Sequence, residues 1–135
     1  VAGRLLLRLQ DERIDGIFAV NESSTTGLLN ALKEQRMLGK VHVMGFDSSG
    51  PLLQALREGS VDGLVIQDPY RMGYLGVWMV VQDLEGYDIR EDGTDLSTGE
   101  FVMTKKNMDD PEMREKFHPA FQAKRTIRTP QYKKK

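Results

Sequence analysis

Three short apolar runs, each ended by a polar side chain and each followed by a helical pattern, constrain this chain more than any other feature. The runs are IDGIFAV (Ile14 to Val20), VHVMGF (Val41 to Phe46) and VDGLVIQ (Val61 to Gln67). They are rich in Val, Ile and Phe and lack strict apolar–polar alternation, which suits strands of a sheet covered on both faces. After the first comes ESSTTGLLNALKEQRML, with Leu28, Leu29, Leu32 and Met37 near helical spacing and Gly39 as a stop. After the second, Pro51 suits the first position of a helix, PLLQALREG, which Gly59 ends. After the third, Asp68-Pro69 is a cap and a first-turn proline opening PYRMGYLGVWMVVQDLEG. Strand and helix alternating three times predict an α/β fold: a parallel sheet with flanking helices and right-handed crossovers. VAGRLLLRLQDER adds a short amphipathic helix at the start, EFVMTK (Glu100 to Lys105) a last strand, and DDPEMREKF a short helical turn.

The chain has 135 residues, which suits one compact domain. Apolar residues make up 39 % and charged residues 29 %, enough for a real core. Net charge is −1, so there is no global electrostatic case for nucleic acid. That balance hides an asymmetry: six basic and no acidic residues lie between Lys124 and Lys135, leaving 13 basic against 20 acidic elsewhere, or −7. The basic end reads as a solvated, disordered tail rather than a binding arm. With no cysteine, disulfides, thiolate metal sites and a cysteine nucleophile are excluded. No apolar run approaches the ~20 residues needed to span a bilayer. The first residue is Val and no signal peptide is visible, as expected of a processed chain or a piece of a longer one.

The helix after Asp68-Pro69 is more apolar than a surface helix needs. Tyr70, Tyr74, Val77, Trp78, Val81 and Leu84 form one face, and Leu75, Met79 and Val80 add apolar surface outside it. Gly73 and Gly76 let another backbone come close. Two readings follow: a well-buried central helix, or a helix that expects a partner which the chain does not supply.

In an open parallel sheet, ligands sit outside the carboxyl ends of the strands. There the three runs end in Asn21, Asp47 and Gln67. An amide donates and accepts, and a carboxylate accepts from two hydroxyls at once, so the set suits a neutral polyol or sugar. Taken singly, each reads better as a turn or cap residue; taken together at equivalent positions, they favour a ligand. Ser23, Ser24, Thr25 and Thr26 are assigned to capping the next helix, with Glu22 favouring its dipole and Asn21 left to face outward.

Other chemistries fit less well. A phosphoryl-accepting Asp47 with magnesium needs a carboxylate cluster, and Glu22 is the only obvious helper. Neither GxGxxG nor a Walker loop is present. FDSSGP is a weak anion site at a helix N-terminus, with Asp47 beside it as a repelling charge. Serine hydrolysis needs a nucleophile elbow and a histidine; His42 lies inside a strand and reads as structural, and His118 lies near an irregular end. No metal-ligand spacing appears.

The stretches IDGIFAVNESSTTGLLNALKEQ, VHVMGFDSSGPLLQALREGSVDGLVIQDPYRMGYLGV and TGEFVMTKKNMDDPE resemble the C-terminal half of sugar-binding proteins of bacterial ABC importers. The nearest shape is the ribose-binding-protein-like group, whose type I periplasmic-binding-protein fold, Rossmann-like in each lobe, is shared by the effector domains of lac-repressor-like regulators. The likeness runs over roughly residues 12 to 112. In that family two lobes joined by a hinge close over a sugar. The resemblance implies that Asn21, Asp47 and Gln67 contact ligand hydroxyls and that no catalysis occurs. Glu22 stands where an aspartate is often found.

On this resemblance residues 1–68 are part of the C-terminal sugar-binding lobe. Residues 69–99 are a helix and connection that would pack on the N-terminal lobe, and 100–110 are a returning strand and hinge. Residues 111–135 are an extension with the basic tail. The implied partners are a small-molecule sugar and an ABC permease, and the implied location is the periplasm or a lipid anchor outside the cytoplasm. With half a site, the chain is expected to bind sugar weakly or not at all by itself, and to self-associate through the helix from Tyr70 to Glu85. The second reading is a lac-repressor-like effector lobe; a receiver-like domain centred on Asp47 is a distant third.

Overall fold

The computed structural model of the chain describes residues 14–89, 96–113 and 127–134. In chain order the elements are β1 (Gly16–Phe18), α1 (Glu22–Glu34), β2 (His42–Phe46), α2 (Gly50–Glu58), β3 (Gly63–Gln67), α3 (Pro69–Leu84) and β4 (Glu100–Thr104). The four strands form one sheet in the order β1-β2-β3-β4. β1 pairs parallel with β2 and β2 parallel with β3, as the strand–helix alternation predicts. The amphipathic helix expected over the first thirteen residues, and His118, lie outside the described residues.

The chain divides into two compact units, residues 1–66 with 101–113 and residues 67–100 with 114–135. In the first, Leu28, Ala31 and Leu32 of α1 and Leu52 and Leu56 of α2 are buried, as are Val43, Leu64 and Ile66 of the sheet and Met103 and Met108. Burying such side chains contributes roughly 1.5–3 kcal/mol each. Two glycines let this core close. A Cβ on Gly45 would meet Thr25 Cγ2 at 2.5 Å, and one on Gly63 would meet Met44 Cε at 2.9 Å. Arg57 of α2 donates to both carboxylate oxygens of Asp109, at 3.0 and 3.1 Å. That pairing raises the guanidinium pKa, through the hydrogen bond first and the charge second.

β1 is shorter than the strand candidate Ile14 to Val20. Its pairing with β2 runs only from Gly16↔His42 to Phe18↔Met44, because the chain turns into α1 by Asn21. α1 stops at Glu34, one turn before Gly39. Arg36 takes the left-handed conformation (φ 54°), and the Met37 N–H turns back to the Leu32 carbonyl at 2.8 Å, a local closure that no glycine signals.

In the second unit α3 opens as predicted, with the Asp68 side chain accepting from Arg71 N at 2.9 Å and Pro69 following it. Leu75 is its buried residue. Tyr70, Tyr74, Val77, Val81 and Leu84 are exposed, Leu84 at 81 %. Here the structure departs from a well-buried central helix. Residues 127–134, expected as part of a solvated end, pack within this unit: the Tyr132 ring lies 5.5 Å from that of Trp78. The Asp88 N–H donates to the Lys133 carbonyl at 2.8 Å. Among the described residues no helix is long and apolar enough to cross a membrane.

Candidate functional site

The site is built where β2 ends and α1 begins, and its parts belong to the first unit. Asn21 is not the outward-facing residue that the sequence suggests. It is the N-cap of α1: its Oδ1 accepts from Ser24 N at 2.8 Å and from Ser23 Oγ at 2.9 Å. Ser24 Oγ answers by accepting from Asn21 N at 3.2 Å, which completes a capping box. The assignment of capping to Ser23–Thr26 is therefore corrected. Asn ranks among the best N-caps, so the signal was present one residue earlier than it was sought. The Oδ1 atom is committed to the helix, whereas the Nδ2 amide has no hydrogen-bond partner among the described residues. Asn21 is thus a donor toward any ligand rather than both donor and acceptor.

Asp47 immediately follows β2. Its backbone sits at φ 71°, in the left-handed region, which a side chain other than glycine occupies at a cost and which Asp tolerates better than most. Its N–H donates to the Val65 carbonyl at 2.9 Å. Its Oδ2 accepts from Glu22 N at 3.2 Å, so the carboxylate rests against the first turn of α1, where free N–H groups and the helix dipole favour an anion. That bond brings Asp47 beside Asn21. Register agrees: Phe18 pairs with Met44, and Asn21 and Asp47 each lie three residues further on.

Gln67 is the last residue of β3 and the first of the second unit, half-buried, with the buried cap Asp68 directly after it. The sequence candidates therefore resolve into a bonded pair in one unit and a strand-end amide in the other. Ser49, the N-cap of α2, makes no side-chain cap bond, and its Oγ is buried without a partner among the described residues. His42 is the first residue of β2, exposed, with Nδ1 3.4 Å from Asp62 Oδ1; it is far along the strand from Asp47 and packs in no core. No group of three or more His, Cys, Asp or Glu suited to a metal ion occurs among the described residues.

On α3, Pro69, Tyr70, Gly73, Tyr74, Val77, Trp78 and Val81 line an open groove of about 660 Å³. It carries no converging set of polar groups of the kind that orients a small polar ligand.

A family model described as a periplasmic binding protein domain matches residues 3–88. Among solved structures, a carbohydrate transporter solute binding protein from Agrobacterium radiobacter in complex with D-arabinose is 34 % identical with a TM-score of 0.72. The alignment covers 87 % of this chain and 39 % of that one. An ABC transporter solute binding protein from Agrobacterium vitis with bound D-fucose is 29 % identical with a TM-score of 0.72, covering 84 % and 38 %. Another from the same species, bound with alpha-D-tagatopyranose, is 28 % identical with a TM-score of 0.73, covering 85 % and 38 %. The chain thus spans under two-fifths of the length of these relatives. No curated protein sequence matches.

Proposed function

Because the chain belongs to the periplasmic binding protein domain family, whose fold it shares as an α/β lobe with a mostly parallel sheet, we propose that it serves as the solute-binding component of a bacterial sugar ABC importer. Asn21, Asp47 and Gln67 contact hydroxyls of a monosaccharide held between two lobes, and the loaded protein delivers it to a membrane permease outside the cytoplasm, from the periplasm or a lipid anchor. It catalyses nothing. The relatives with D-arabinose, D-fucose and tagatopyranose bound support a monosaccharide. The regulator alternative is not favoured, since those three relatives are all named as transporter components.

The observation that carries this reading is Asp47. A half-buried carboxylate is held at a positive φ, against a helix N-terminus and beside an amide with an uncommitted NH₂ group. Backbone strain of this kind persists where surrounding structure over-determines it, and it gathers at ligand sites. Asp47 accepts hydroxyl hydrogens and Asn21 donates to a hydroxyl oxygen, the complementary pair that a vicinal diol needs. Gln67 supplies a further amide. The exposed apolar face of α3, from Tyr70 to Glu85, is the proposed seat of self-association.

The test is an NMR titration of the 135-residue chain with D-arabinose, D-fucose and D-tagatose at millimolar concentration. Shifts should centre on the amides of Asn21, Glu22 and Asp47 and on the Gln67 side chain. In the full-length protein, Asp47→Ala should weaken binding on the order of tenfold or more, because a charge-assisted hydrogen bond contributes roughly 1.5–3 kcal/mol. Perturbations elsewhere, or unchanged affinity in Asp47→Ala, overturn the reading. Micromolar affinity of these residues alone would refute the half-site.

A further inference from the structure

We infer that Thr25 is a positioning residue whose hydroxyl couples the end of β2 to the start of α1 and so sets the Asp47–Asn21 pair; this deepens the sugar-site reading and rests on it. Thr25 is fully buried, at 0 % exposure, and the sequence assigned it only to the general run of capping residues. Its Oγ1 donates to the Asn21 carbonyl at 2.8 Å and accepts from Phe46 N at 3.1 Å. One hydroxyl thus touches the residue that caps α1 and the residue that precedes Asp47.

The bond to Phe46 answers a need created by the sheet. Pairing of β1 with β2 ends at Phe18↔Met44, and Ala19 N closes that edge on the Met44 carbonyl at 2.9 Å. Past that point β1 offers the Phe46 N–H no carbonyl, and a buried donor left unmet is costly. Thr25 Oγ1 stands in for the missing strand. The donor half is ordinary for a helical threonine, whose hydroxyl reaches the carbonyl four residues back. What is particular here is that the same oxygen also receives a bond from another element.

The methyl group has a separate part. Thr25 Cγ2 occupies the space over Gly45, where an added Cβ would stand 2.5 Å from it. Gly45 lets α1 approach β2 closely enough for the hydroxyl to reach Phe46. With Phe46 held, Asp47 leaves the strand at φ 71° and its Oδ2 arrives at Glu22 N, 3.2 Å away. The hydroxyl sets direction and the methyl sets distance, so the two can be removed one at a time.

The experiment compares Thr25→Val, which keeps the methyl and loses the hydroxyl, with Thr25→Ser, which does the reverse. The readout is amide hydrogen exchange of Glu22 and Phe46, with Leu64 in β3 as the internal reference. Thr25→Val should speed exchange at both amides about tenfold while Leu64 stays close to wild type, and Thr25→Ser should restore protection despite its smaller side chain. The inference is overturned if Thr25→Val leaves Glu22 protected, whether or not Phe46 opens. It is equally overturned if Thr25→Ser exposes both amides as much as Thr25→Val, since the methyl would then be the cause; should Thr25→Val fail to fold, this Thr25→Ser comparison with wild type decides alone. In the D-arabinose titration, Thr25→Val should weaken binding in step with Asp47→Ala. If Asp47→Ala leaves that titration unchanged while the Glu22 and Phe46 amides open in Thr25→Val, the sugar reading fails and the positioning role stands.

Discussion

The two units use the same kinds of residue to opposite ends. In the first, leucines and valines are closed away: Leu32, Leu52, Leu56 and Leu64 are each at most 1 % exposed. In the second, α3 has the composition of a buried helix and the exposure of a surface one, with Val77 at 68 % and Leu84 at 81 %. The units also differ in how they bear backbone strain. Among the described residues, those at positive φ in the first unit are Gly39 and Gly59 together with Arg36 and Asp47, whereas in the second they are the glycines Gly86 and Gly99. Arg36 is exposed and its turn is closed by the Met37–Leu32 backbone bond, whereas Asp47 is half-buried and its N–H is tied to the Val65 carbonyl. A unit that can hold an aspartate at φ 71° is one that can hold it in place for a ligand. The second unit instead presents an apolar stripe, and large exposed apolar patches mark surfaces that bind other surfaces.

The largest effect should come from truncating one leucine in each unit. Leu64→Ala should cost about 2–5 kcal/mol, as for other fully buried leucines. Leu84→Ala should change stability by under about 0.5 kcal/mol, as at exposed positions. Urea denaturation of both variants at low protein concentration measures the contrast. Equal losses would show that Leu84 is covered and would break the distinction between the units.

The next effect concerns association. A charge in the middle of the stripe, Val77→Glu, should remove self-association while leaving the helical signal in circular dichroism unchanged, since Val77 makes little use of burial. Analytical ultracentrifugation over a hundredfold concentration range is the measurement. A wild-type chain that stays strictly monomeric at high concentration, with α3 well ordered, would refute the partner-seeking face.

Much of this contrast was legible in the sequence, and the parts that were not have identifiable causes. The alternation of apolar runs with capped helical stretches specified the parallel order of β1, β2 and β3, because neither periodicity has another use there. The apolar excess around α3 was visible by counting faces, and Asp68-Pro69 announced its start. Strand lengths were not legible: the apolar residues continue from Ile17 through Val20, but the pairing that ends β1 at Phe18 depends on where the chain turns into α1. The roles of Asn21 and Thr25 were hidden for the same reason. Both belong to a run in which Asn21, Ser23, Ser24, Thr25 and Thr26 are all competent caps, and the approach of Phe46 decides which hydroxyl faces the sheet. The early stop of α1 was missed because Gly39 is the residue that propensity favours, whereas a turn closed on Leu32 by Met37 selects Arg36 instead.

The smallest effects separate strain that serves a turn from strain that serves the site. Arg36 and Asp47 both sit at positive φ, at 54° and 71°. Replacing either with glycine removes a left-handed penalty of about 1–2 kcal/mol per residue and adds an unfolded-state entropy cost of roughly 0.4–1 kcal/mol. Arg36→Gly should therefore raise stability by a few tenths to about 1 kcal/mol. Asp47→Gly also loses the carboxylate that accepts from Glu22 N, an interaction of the kind that contributes about 0.5–2 kcal/mol at a helix start, so its net change should fall near zero. Their effects on D-arabinose binding should differ far more than their effects on folding: unchanged for Arg36→Gly, lost for Asp47→Gly. Paired denaturation and NMR titration of the two variants give that comparison. If Asp47→Gly gains as much stability as Arg36→Gly and binds as before, the left-handed turn after β2 is only a turn. If it loses binding without losing stability, the Asp47 carboxylate acts on the ligand rather than on the fold.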